Sequence, residues 1–253
     1  MDRHDLYELC VQSPLHLVPL LRAIHGQEPA VLGEDFSGTA ALSCRWVQDV
    51  PEGSAIAVDL DAATLARHGQ HARITRLATD VRTAAGAVDV LFAGNFSIGY
   101  MHTRAELVAY LRHARSRLRP GGMFVCDTYG GESSFLTGHV HRHHNLPDGR
   151  RVRYTWEQRY ADPLTGMVTD VLHFRIEKGG VIEEEWPDAF VYEWRLWAVP
   201  ELRDAMVEAG FGQTDVFQKL PDAEDEEGNI YVEAVRDPEE LDDSFIVLVA
   251  ARV

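Results

Sequence analysis

An α/β fold built on a mostly parallel sheet is what the sequence predicts, on three observations. Between Pro29 and Asp127, short apolar runs alternate with helical stretches, the pattern of a parallel sheet covered on both faces. The first three runs each end in an acid: Glu34 after residues 31–33, Asp59 after 55–58 and Asp80 after 77–79. A small-residue turn, Ser37-Gly38-Thr39, follows the first of these acids and leads into a helix start. That order places a carboxylate and free backbone N–H groups at one rim of the sheet, where open α/β folds bind nucleotides. Residues 31–41 therefore predict a nucleotide-like cofactor.

Residues 5–25 carry Leu6, Leu9, Cys10, Leu17, Leu20, Leu21 and Ile24 at mostly helical spacing, interrupted by Pro14 and Pro19, and predict a broken helical cap over 1–28. The core occupies 29–128 and resumes over 198–253. Within it, Thr103-x-x-Glu106 is a capping box, and Leu107, Tyr110, Leu111, Ala114 and Leu118 recur at threes and fours behind it. Residues 129–150, rich in Gly, His and Ser, predict a loop with some local helix. The period then changes to two: Val152, Tyr154, Trp156 and Tyr160 share one face, as do Leu172, Phe174 and Ile176, and Phe190, Tyr192, Trp194 and Leu196. With turns at 162–166 and 178–180, this predicts a three-stranded antiparallel layer, so that 129–197 forms an insertion after the fifth strand and a lid over substrate. Pro200 opens a helix that closes at Gly210, and 214–220 and 244–251 predict the last two of seven strands, the final one antiparallel.

A chain of 253 residues buries roughly three quarters of its unfolded surface, enough for one large domain with an insertion. The formal net charge of −16 repels polyphosphate at long range and disfavours nucleic acid as a partner, although Arg150-Arg151-Val152-Arg153 is a local basic patch. Cys10, Cys44 and Cys126 are an odd set with no close pair, which argues against a disulfide framework and a thiolate zinc site. No run of about eighteen apolar residues occurs and the N-terminus lacks a basic-then-apolar pattern, so the expectation is a soluble, cytoplasmic protein without a membrane partner.

With these residues in view, the chain resembles the class I S-adenosylmethionine-dependent methyltransferases, whose first motif usually reads acid-x-Gly-x-Gly-x-Gly. Glu34-Asp35-Phe36-Ser37-Gly38-Thr39-Ala40 occupies that register, with Phe36 and Ala40 standing where glycines are usual. Asp59-Leu60-Asp61 is similar to the ribose-binding segment, Asp80-Val81 to the pair beside the adenine, and Leu118-Arg119-Pro120-Gly121-Gly122 to the turn into the fifth strand. The resemblance covers about residues 30–128 and the segment after Pro200. It implies a Rossmann-like sheet and S-adenosylmethionine as cofactor, with Glu34 on the ammonium side, Asp59 on the ribose hydroxyls, and Asp80 on the adenine amino group. Leu60 and Val81 then stack on the ring, and Phe36, Ser37, Gly38 and Thr39 form the loop. Asn95 and Phe96 lie near the methionine part.

The implied activity is methyl transfer to nitrogen or oxygen of a small-molecule acceptor, chiefly by alignment. Tyr100 and His102, after the fourth strand, are candidate bases, with Tyr7 and Gln12 as weaker candidates for closing the site. The segment Asn95-Phe96-Ser97-Ile98 differs from Asn/Asp-Pro-Pro-Tyr, which lowers the case for a nucleobase amine. Two alternatives stay open. A nicotinamide-dependent oxidoreductase would need Gly-x-Gly-x-x-Gly, of which one glycine of three is present. A non-catalytic protein could hold a nucleotide weakly and a partner on the aromatic insertion. The oligomeric state, a homodimer among the options, does not follow from the sequence. His139, His141, His143 and His144 alternate as strand ligands do, but with no acid or cysteine close by in sequence they read as solvated loop and no metal is expected. Asp222-x-Glu224-x-Glu226 with Glu233 mimics a calcium loop, yet its glycine falls one place late at Gly228.

Overall fold

In the computed structural model, which describes residues 1–253, β1 (Val31–Asp35) lies third from one edge of a seven-stranded sheet. From β1 the chain moves outward through β2 (Ser54–Asp59) to β3 (Ile74–Ala78), then crosses to β4 (Val88–Ala93) and β5 (Leu118–Gly131) on the other side. All of these neighbours pair in parallel. The reversal between β1 and β4 opens a crevice at the carboxyl ends of the strands.

Along β4, Val90 and Phe92 enter one apolar layer and Leu91 and Ala93 the other, as a two-residue period requires in a strand buried on both faces. The first layer packs under α2 (Pro14–His25) and α3 (Ala41–Asp49) through Leu21, Trp46 and Val47. The second packs under α5 (Arg104–Ser116) and α6 (Val199–Glu208) through Leu107, Leu111 and Leu202. The Thr103–Glu106 capping box starts α5, and Asp61 caps the short α4 (Ala62–Leu65) by accepting the amides of Ala63 and Thr64. Pro200 lies in the first turn of α6, and Gly210, at φ +99°, follows its end.

The cap is broken as expected, into α1 (Arg3–Cys10) and α2, with Pro14 in the first turn of α2. Pro19 does not interrupt it. α2 runs through to His25, held by Leu17, Leu20, Leu21 and Ile24 buried on α3 and the sheet.

The insertion holds four antiparallel strands rather than three, in the order β6 (Gly138–Asn145), β7 (Arg151–Ala161), β8 (Met167–Lys178), β9 (Val181–Arg195). β6 falls in the segment expected to be loop. Its sequence has a single apolar residue, Val140, so no hydrophobic alternation marks it, and pairing with β7 alone defines it. A register shift between Gln158 and Tyr160 turns Tyr160 out of the face of Val152, Tyr154 and Trp156, leaving it 54% exposed. The inner face buries Val152, Tyr154, Leu172, Phe174 and Ile176 together with Leu6 and Cys10 of α1.

After β10 (Gln213–Gln218), β11 (Ala223–Glu224) and β12 (Ile230–Tyr231) form a small hairpin over the acidic stretch. Asp225 accepts the amides of Glu227 and Asn229 there, which is turn chemistry rather than a calcium loop. β13 (Ser244–Arg252) then inserts between β10 and β5, antiparallel to both. No helix is long and apolar enough to cross a membrane.

Candidate active site

The turn after β1 keeps a left-handed path without its usual glycines. Phe36, Gly38 and Ala40 have φ of +57°, +54° and +62°. For the two non-glycine residues such angles cost about 1 to 2 kcal/mol each. Surrounding contacts hold them there. Phe36 stacks on Tyr100 with ring centres 5.6 Å apart, and Ala40 is fully buried against α2 and α3. Gly38 donates its amide to Asp59 Oδ2 at 2.8 Å, and Asp61 donates to Asp59 Oδ1 at 2.9 Å.

A second left-handed pair follows β4: Asn95 at φ +55° and Phe96 at +62°. Asp127, buried on β5, accepts both amides, from Asn95 at 3.1 Å and Phe96 at 2.7 Å, and Lys219 Nζ neutralises it at 2.8 Å. Sequence reasoning missed Asp127. An isolated acid at the end of an apolar strand carries no motif signal.

Between these turns, α1 and β9 lies a cavity of about 590 Å³. Of the sequence candidates, Phe36, Gly38, Thr39, Asp59, Leu60, Asp80, Val81, Asn95 and Tyr100 line it, as do Tyr7 and Gln12 of the cap. Asp80 is turned onto Arg82, whose Nε lies 2.9 Å from Oδ1, and that ion pair holds its carboxyl below the usual range. Ser37 is buried behind the turn, and Phe96 lines the neighbouring hollow instead.

Two candidates lie elsewhere. Glu34 points into the fold, where its carboxylate accepts the Ser43 amide at 2.9 Å and the Ser43 hydroxyl at 2.6 Å at the start of α3. Burial pushes its carboxyl up to about 7, because the charged form loses hydration that one serine only partly replaces. The expected meeting of three rim acids is therefore a meeting of two, Asp59 and Asp80. His102 is outside the cavity, its Nε2 2.9 Å from the Glu193 carbonyl on β9, because the short helix Ser97–Tyr100 carries the chain past the opening. The neighbouring Asp35, the unassigned second position of the first motif, forms a buried ion pair with Arg117 at 2.8 Å and accepts the Tyr110 hydroxyl at 2.9 Å.

Several buried polar atoms at this cavity have no partner within the protein: Gln12 Oε1, Thr39 Oγ1 and Trp194 Nε1. Buried polar groups are otherwise almost always paired. Together with the open space over Gly38, where a Cβ would meet nothing within 4 Å, they fit a polar ligand carrying both donors and acceptors.

A second cavity, of about 280 Å³, adjoins the first and shares Tyr7, Asn95, Tyr192 and Trp194 with it. Its further walls are mostly apolar or aromatic, with Phe96, Tyr129, Tyr154 and Trp156 among them. Tyr192 and Trp194 stack with centres 4.3 Å apart and planes 12° from parallel. The face expected to form a lid thus divides its labour: Tyr192, Trp194 and Trp156 border the cavities, whereas Phe174 is 1% exposed and belongs to the insertion core.

The strand order, the antiparallel β13 and the crevice at the ends of β1, β2 and β4 define the class I S-adenosylmethionine-dependent methyltransferase fold. Solved structures share this fold over nearly their whole length. DesVI of Streptomyces venezuelae superposes with a TM-score of 0.68 at 18% identity, covering 98% of this chain and 95% of that one. CalS10 of Micromonospora echinaspora, an amino pentose methyltransferase with S-adenosylmethionine bound, gives 0.68 at 17% identity over 99% and 96%. The sugar N-methyltransferase KedS8 of Streptoalloteichus sp. ATCC 53650 gives 0.65 at 16% identity over 99% and 93%. No protein-family model and no curated protein matches the sequence.

Proposed function

We propose that this chain is a methyltransferase that moves a methyl group from S-adenosylmethionine to nitrogen or oxygen of a small-molecule acceptor. The observation that carries this reading is the junction of two cavities on one sheet edge, a polar one over the turn after β1 and an aromatic one under the insertion, which meet at Tyr7, Asn95, Tyr192 and Trp194. In the first, Asp59 offers its remaining lone pairs to the ribose hydroxyls, Asp80 faces the adenine side with Val81 and Leu60, and the orphaned Thr39 hydroxyl and Gln12 carbonyl complete the polar wall. Glu34 acts from behind, fixing the start of α3 through Ser43.

S-adenosylmethionine supplies a methyl carbon already activated by its sulfonium, so the protein's task is alignment and exclusion of water. The aromatic walls serve exclusion, with the insertion acting as a lid. Burial raises the Tyr100 hydroxyl above its ordinary range, so it stays protonated near neutrality and orients an acceptor by hydrogen bonding rather than by removing a proton. A nitrogen acceptor is preferred, because an amine that has given its proton to solvent attacks as the neutral base, whereas a hydroxyl must ionise during attack, and because two of the similar structures bear amine- or sugar-methylating names.

Calorimetric titration with S-adenosylmethionine tests the reading. One site per chain is expected, and no heat at tens of micromolar ligand would overturn it.

A further inference from the structure

On the outer face of the insertion sheet, a separate hollow of about 280 Å³ is bordered by His139, His141, Thr155, Glu157 and His173, with Arg153 and Arg175 also on its rim and Glu185 beside them. Residues two apart on a strand share a face, and the β6–β7 register sets His139 opposite Glu157 and His141 opposite Thr155. The acid that the sequence does not place beside the histidines arrives from the neighbouring strand. His139 Nε2 stands 3.8 Å from Glu157 Oε1, and the two imidazoles lie 6.2 Å apart, 19° from parallel. Two imidazoles on one tetrahedral ion have centres about 5 Å apart, so both histidine side chains must turn towards one another to share it.

We propose that His139, His141 and Glu157 form a binding site for a borderline transition-metal dication of the zinc type, outside the methyl-transfer cavities. Two nitrogens and a carboxylate oxygen suit such an ion better than magnesium or calcium, which take oxygen ligands. The surrounding groups already orient these three. Glu157 Oε2 accepts Arg159 at 2.8 Å and His173 Nε2 at 2.9 Å, while Oε1, with Arg159 Nε at 3.3 Å, keeps a lone pair on the side of His139. His141 Nδ1 is 2.8 Å from Thr155 Oγ1, and donation there frees Nε2 for the ion. His173 is a supporting residue and not a ligand. Its Nδ1 accepts the Asp188 amide at 3.1 Å, so in the neutral ring Nε2 holds the proton given to Glu157. The ion would staple edge strand β6 to β7. Because Val140 and Arg142 of β6 face the aromatic cavity from the other side, that staple also braces the acceptor wall.

The test uses the untagged full-length chain stripped with EDTA and titrated with zinc chloride by calorimetry, with cobalt(II) absorption as a second readout. One ion per chain is expected in the wild type and in a His16→Ala control. The double variant His139→Ala/His141→Ala should lose at least tenfold in zinc affinity, and Glu157→Gln should do the same. S-adenosylhomocysteine titration of each variant verifies the fold separately, so that loss of zinc cannot be mistaken for unfolding. No stoichiometric zinc uptake by the wild type, or equal uptake by the double variant, would overturn the proposal.

Discussion

Gly38 and Asp59 are joined by a 2.8 Å hydrogen bond from the glycine amide to the aspartate carboxylate, which ties the turn after β1 to the end of β2. One residue therefore shapes the floor of the larger cavity and offers it charge. Replacing it should disturb both.

Asp59→Ala is expected to weaken S-adenosylmethionine binding by roughly 1 to 3 kcal/mol, the cost of leaving donors unpaired. That corresponds to a dissociation constant about 5 to 150 times larger by calorimetry. Asp59→Asn, which keeps an acceptor for the Gly38 amide, should lose less. Equal affinity in wild type and Asp59→Ala would remove Asp59 from the ligand.

Gly38→Ala and Ala40→Gly should act in opposite senses on the turn. At φ +54° an alanine costs about 1 kcal/mol, and its methyl would enter the open space over the turn, so both melting temperature and cofactor affinity should fall. Ala40→Gly relieves a similar strain but loses a buried methyl and frees the unfolded chain, so its melting temperature should change little. A large loss in Ala40→Gly would mean that its packing, not its angle, dominates.

Glu34 gives a signed dependence on pH. Its folded carboxyl titrates at about 7, above the ordinary glutamate range, so the folded state holds the proton more tightly than the unfolded one. The contribution is fully present below the unfolded value and is lost as pH rises towards 7, to a total on the order of 3 kcal/mol. Glu34→Gln, which keeps an acceptor for Ser43, should therefore raise the melting temperature at pH 8 and leave it nearly unchanged at pH 4. Asp170, buried on β8 and likewise raised to about 7, adds a second loss in the same window. Denaturant melts of wild type, Glu34→Gln and Asp170→Asn across that range separate the two.

Arg117→Met should strand the Asp35 carboxylate in the core, where the two side chains are now 3% and 0% exposed. Breaking such a buried pair costs about 3 to 5 kcal/mol. The double variant Asp35→Asn/Arg117→Met should recover much of that. Additive losses in the double variant would show that the two side chains do not depend on one another.

What could be read in the sequence follows from how each signal is written. The sheet, α5 and the last strand are legible because burial imposes a period and capping leaves fixed residues such as Thr103 and Glu106. Asp59 and Asp80 are legible because they end apolar runs. β6 is not legible, since both of its faces are polar and only its partner strand defines it. The orientation of Glu34 depends on Ser43, nine residues on, and the capture of Asn95 and Phe96 depends on Asp127, more than thirty residues away. Tertiary partners of that kind leave no local pattern. The same holds for Phe36 and Ala40, whose left-handed angles are set by packing and not by residue type.

The burial of Leu6 and Cys10 within the insertion's own core, while α2 packs on α3, fixes how this molecule can breathe. An outward swing of the four-stranded layer must either carry the first helix along, breaking its ion pairs to Arg67 and its contact with His68, or uncover Leu6 and Cys10. In the first case the short link at residues 11–13 between α1 and α2 has to bend, and Tyr7 leaves both hollows as they open.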